Sequence, residues 1–151
     1  VNPIARCSAV LFALFSGACA LVACGTAAAP PQCGAPKGAV TMAYPAPSST
    51  GIPDNFIGVI FASTNGLGSS YEAIVQEVPG QNLQLPLERV SPFSPPLPTP
   101  NVVPPFANPV YQLSSSGQIL SKLHGATKYF VYLNDANSNC NPTFMGSFTF
   151  Q

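Results

Sequence analysis

Charge is scarce in this chain. Asp, Glu, Lys and Arg make up only 7% of the 151 residues, and five basic side chains balance five acidic ones. A protein that holds nucleic acid neutralises phosphates with clustered Lys and Arg, so a chain without a basic field excludes nucleic acid as a partner. Histidine occurs once, at His124. A catalytic or metal-binding imidazole needs partner groups, and none stands near it in the sequence, so His124 reads as a solvated corner residue. Zinc spacing, a Gly-rich phosphate loop and a Ser nucleophile elbow are all missing. Asp54, Glu72, Glu77, Glu88 and Asp135 are scattered, with no spacing that suggests a hydrolytic carboxylate pair. Accordingly no catalytic, metal-binding or cofactor-binding residue is assigned.

What is present is apolar and aromatic. The chain is 46% hydrophobic with ten Phe and five Tyr, whereas disordered chains combine weak hydrophobicity with high net charge. Folding is therefore expected, with solubility drawn from Ser, Thr, Asn and Gln, as in many envelope and extracellular proteins.

Residues 7–23, CSAVLFALFSGACALVA, carry no charge and follow a start whose only charged side chain is Arg6. A run of this length is marginal for spanning a bilayer, and small residues crowd its end, so residues 1–23 are expected to be an export signal. Leu21-Val22-Ala23-Cys24, followed by Gly25, resembles the lipobox of bacterial lipoproteins. That resemblance implies a diacylglyceryl group on Cys24, cleavage before it, and attachment to a membrane of a bacterial cell envelope. Signal cleavage near Cys19 or at residues 27–29 would instead release a soluble secreted protein. Processing at Cys24 leaves Cys33 and Cys140 as the other cysteines, and in an oxidising compartment such a pair is expected to bond. The bridge would close a loop of about 107 residues, for which chain entropy sets a ceiling of about 4.7 kcal/mol.

Residues 24–36, rich in Ala and Pro, read as a tether from which a domain at residues 37–151 is held off the surface. Short Val, Ile, Phe, Tyr and Thr runs between turn residues predict an all-β domain. Strands are expected at residues 39–45, 56–63, 71–78 and 83–90, the last an edge strand because Pro86 cannot donate to a ladder. Residues 91–109 hold eight prolines. They read either as a polyproline ligand for a partner domain or, preferably, as an extended crossover between two sheets, tacked down by Phe93, Leu97, Val102, Val103 and Phe106.

Leu123, Thr127, Tyr129, Val131 and Leu133 fall at odd spacing. This resembles the L-x-P-x-T-x-Y-x-V pattern of fibronectin type III and bacterial Ig-like domains, with Gly125 where Pro is usual. Residues 41–63 are similar to the first two strands of such modules. The resemblance implies an Ig-like/fibronectin type III-like β-sandwich of about seven strands. Tyr129 would be its tyrosine corner, residues 128–133 strand F, 134–142 the F–G loop and 143–151 strand G, with Phe144, Met145, Phe148 and Phe150 adding apolar area. The Cys and Trp of antibody domains are absent. In such a sandwich the F–G loop lies beside the start of the first strand, which would bring Cys33 near Cys140.

Within residues 135–139, DANSN opens like a calcium loop but then carries Cys140 at the required Gly and Gly146 at the required Glu, so a polar hairpin is expected. Loop residues Asn65, Gly66, Asn134, Asp135, Asn137 and Asn139 are the candidate contacts for an unidentified protein or glycan. The expected function is a non-catalytic, lipid-anchored surface module. The alternative is a small envelope hydrolase or carbohydrate-acting accessory whose site assembles only in the fold.

Overall fold

The computed structural model describes residue 36 and residues 39–78, 88–114 and 121–151. The expected signal, Cys24, Cys33 and most of the tether lie outside the described residues, as does much of the predicted strand at 83–90. The described residues contain nine strands and no helix: β1 (Val40–Tyr44), β2 (Ser49–Ile52), β3 (Val59–Ser63), β4 (Tyr71–Val78), β5 (Glu88–Arg89), β6 (Ser91–Pro92), β7 (Val110–Ser114), β8 (Lys128–Asp135) and β9 (Thr143–Phe150). They form a four-stranded sheet, β1-β3-β7-β6, and a five-stranded sheet, β2-β9-β8-β4-β5, in a sandwich-like arrangement.

The alternating strands form where period-2 patterning places them. In β8, Tyr129, Val131 and Leu133 are buried while Phe130 and Tyr132 are only partly so. All five residues of β3 are buried, as its continuous apolar run predicts for a central strand. Phe56 sits amid a cluster of rings, with Tyr44, Phe148 and Phe150 at centroid distances of 5.8, 5.3 and 6.3 Å. Tyr129 stacks on Phe148 at 5.5 Å, joining this cluster to β8.

Three strands, β2, β6 and β7, lie outside the expected ones. β2 follows a proline-rich kink and leaves the sheet of β1 to run parallel to β9, with Ser49 opposite Phe148 and Ile52 opposite Phe150. β7 pairs along the whole of β3.

The proline-rich segment differs from the expected crossover. β5 belongs to the five-stranded sheet and β6 to the four-stranded one, so the chain changes sheets at the single buried residue Val90. Residues 93–109 then link two antiparallel neighbours in one sheet, β6 and β7. Phe93, Leu97 and Phe106 pack against the core, but Val103 is 85% exposed and tacks nothing down. The segment also lies along β1: Val102 N–H donates to Ala43 O, and Ala46 N–H to Pro100 O, both at 2.9 Å. A proline-rich strip beside an edge strand blocks further pairing, because it offers few N–H donors to an incoming strand.

Candidate functional site

Two loops meet at one end of the sandwich. The β3–β4 loop, residues 64–70, contains Gly66 at φ +75°, a conformation that favours glycine. Gln112 on β7 holds this loop from below: its Nε2 donates to Leu67 O at 3.1 Å, and its Oε1 accepts from Leu67 N–H. The β8–β9 loop, residues 136–142, is shaped by Asp135, whose carboxylate accepts from Asn137 N–H at 3.1 Å and whose carbonyl accepts from Ser138 N–H at 3.0 Å. A bond from Ala136 N–H to Ser70 O at 2.9 Å ties the two loops together.

Of the candidate loop residues, Asn65, Gly66, Asn137 and Asn139 belong to this rim. Asn134 and Asp135 do not lie in a loop, because the β4–β8 ladder extends to pair them with Glu72 and Tyr71. Pro36 joins Asn65, Gly66, Leu67, Gly68 and Tyr71 in lining a cleft of about 560 Å³. The Tyr71 hydroxyl is pushed above its ordinary pKa by burial and by the nearby Asp135 charge. Cys140 lies in the β8–β9 loop of this rim, and Cys33, its expected partner, lies outside the described residues.

At the opposite end, the buried ring of Tyr129 directs its hydroxyl back to the chain upstream, where it accepts from His124 N–H at 2.7 Å. Burial raises the Tyr129 pKa, and the Glu77 charge adds to this, while the bonds to His124 and Thr127 oppose it. The His124 residue is exposed. Among the described residues, no three His, Cys, Asp or Glu side chains gather as metal ligands would.

The outer face of β4, β8 and β9 carries a second group of side chains. Phe144 is 55% exposed, and its ring lies 5.8 Å from Phe130 and 5.5 Å from Tyr132. Lys128 Nζ sits 5.3 Å from the Phe130 ring centroid, a cation–π contact. Tyr132 also borders a cleft of about 330 Å³ with Ile74, Gln76, Asn141 and Pro142.

A bulge creates this face. Val131 pairs with Gly146 but Tyr132 pairs with Phe144, leaving Met145 as an extra residue. In an unbroken strand Phe144 and Phe148 would share a face; the extra residue sends Phe144 outward while Phe148 stays buried. No family model, curated protein or solved structure matches the chain significantly.

The outer aromatic group is the feature that sequence reading missed. The sequence pattern places Phe144 among the apolar residues of the last strand, and nothing local marks it as exposed. The Phe-Met-Gly run is the only available signal, since Gly inside a strand pattern suggests a bulge.

Proposed function

We propose that this chain is a non-catalytic cell-envelope lipoprotein in which Cys24 bears the lipid and a single Ig-like sandwich binds a protein or glycan. The strand order supports the Ig-like reading. With β1, β3, β7 and β6 taken as A, B, E and D, and β9, β8 and β4 as G, F and C, it follows the two-sheet order of that architecture. The Tyr129–His124 bond supports the tyrosine-corner role for Tyr129.

The observation that carries the binding role is the exposed Phe144 ring, held against Phe130 and Tyr132 on a sheet face rather than in the core. An exposed aromatic ring backed by two partly exposed ones on a rigid sheet face supports a contact surface there.

Pro36 gives this proposal a direction. It lines the cleft at the rim, so the tether joins the domain at the loop end. Cys24 precedes it by twelve residues, a reach of roughly 40 Å at full extension. A lipid on Cys24 would then hold the domain by its loop end and leave the β4–β8–β9 face open to a partner. Cys33 stands three residues before Pro36, within roughly 10 Å of reach, which supports Cys33 as the partner of Cys140.

Metabolic labelling with a fatty acid tests the anchoring. Label should enter the wild-type chain and be absent from Cys24→Ser; label retained in that variant overturns the lipoprotein assignment.

A further inference from the structure

The outer face of β4, β8 and β9 has a chemistry narrower than that of a general contact surface. Phe144 stands over it with its ring tilted 60° to Phe130 and 62° to Tyr132, so the three form a stepped cradle rather than a flat stack. Lys128 sits against Phe130, which leaves Phe144 and Tyr132 as the rings open to a ligand. Tyr132 continues into the 330 Å³ cleft, whose other walls are Ile74, Gln76, Asn141 and Pro142. Among the described residues no charged side chain lines that cleft.

We infer that this face binds a neutral polysaccharide, with a sugar ring stacked on Phe144 and its neighbour seated in the cleft beside Tyr132. This deepens the binding-module proposal above and rests on it. A pyranose presents C–H groups on one face and hydroxyls around its rim. The negative π face of an exposed aromatic ring attracts the C–H groups. Gln76 and Asn141 already have partners within the protein, but a carboxamide has two donor and two acceptor sites, so each can also meet a hydroxyl that donates and accepts. The lack of charge in the cleft offers nothing to a phosphate or a sulfate.

The size of the cleft favours a small ligand such as a sugar ring. A stable protein interface covers roughly 800 Å² per partner around a buried hot spot. Here one ring is well exposed and two are half-buried, while the cleft volume falls at the low end of the roughly 300–1,000 Å³ typical of small-ligand sites. Phe144, Tyr132, Ile74 and Gln76 lie on paired strands, so ordering these four on binding costs little.

The test uses the full chain with three probes, cellohexaose, maltohexaose and N-acetylchitohexaose, by calorimetry and by perturbation of aromatic proton resonances. Saturable binding of at least one probe is expected, with Tyr132 and Phe144 signals shifting. Phe144→Ala should weaken it about tenfold or more, whereas Phe144→Tyr, which keeps the ring, should stay within about twofold. Because Phe144 lies outside the core, circular dichroism of Phe144→Ala should match wild type, and its melting temperature should fall only by the loss of two surface ring contacts, leaving it folded at assay temperature. Three outcomes overturn the inference: no saturable binding to any probe, unchanged binding in Phe144→Ala, or a Phe144-dependent dimer in gel filtration without glycan, which would assign the face to a second copy. Fatty-acid labelling of the same preparation separates the two levels. Label without glycan binding removes only this inference, and glycan binding without label removes the lipid anchor.

Discussion

Gln112 and Leu67 are joined by two hydrogen bonds in opposite directions, the side-chain amide of one closing a ring with the backbone of the other. Both residues are buried. Gln112→Ala leaves the Leu67 N–H and C=O without these partners, and buried unsatisfied groups cost about 1–3 kcal/mol. The expected result is a lower urea midpoint at unchanged slope, together with faster hydrogen exchange at the amide of Leu67. Wild-type exchange at that amide would show that the clamp does not hold the rim.

Gly146 occupies a position where an added side chain would force its neighbours to shift. A Cβ there would lie 2.8 Å from Met42 Cε and 3.2 Å from Pro47 Cβ, and the backbone has φ +157°. Gly146→Ala is expected to destabilise the domain by about 1–3 kcal/mol, part steric and part conformational. In a thermodynamic cycle with Met42→Ala, the Gly146→Ala cost should shrink but not vanish, because the Pro47 contact and the backbone part remain.

The buried hydroxyl of Tyr129 makes stability sensitive to alkali. Its folded-state pKa is raised, chiefly by burial, and Tyr44 is shifted the same way by the same cause. The unfolded chain therefore releases these protons first, and above the ordinary tyrosine value of about 10 it binds fewer protons than the folded chain. Stability is fully present below that pH and falls as pH rises from about 10 through the folded-state values. Melting temperatures from pH 8 to 11 should be flat and then decline. The decline should be shallower in Tyr129→Phe, which at neutral pH loses about 1 kcal/mol with the His124 bond.

A bond between Cys33 and Cys140 makes a prediction about pairs of variants. Cys33→Ser and Cys140→Ser should each destabilise by about 2–5 kcal/mol, and the double variant should lose no more than either alone. Peptide mapping without reductant should recover the two cysteines in one linked fragment. Recovery of Cys140 joined to a different cysteine would reject the pairing.

Local periodicity carried much of the fold. Residues 71–78 and 128–133 alternate because each forms a half-buried surface, and strands β4 and β8 lie there. β2 was not legible: its four residues, Ser-Thr-Gly-Ile, are too few to alternate visibly, and it is held by parallel pairing with a strand almost a hundred residues away. The role of Gln112 was hidden for a similar reason, since its partner Leu67 lies 45 residues earlier.

The sequence alone determined that the chain builds β-structure and draws its polarity from Ser, Thr, Asn and Gln rather than from charge, because composition and period-2 alternation are local properties. Only the tertiary structure decided where the proline-rich segment runs, that Val90 is where the chain changes sheets, and that the loops at 64–70 and 136–142 share a rim. It also decided which face Phe144 takes. That depends on one extra residue at Met145, and a bulge is defined by pairing with another strand rather than by the strand that contains it.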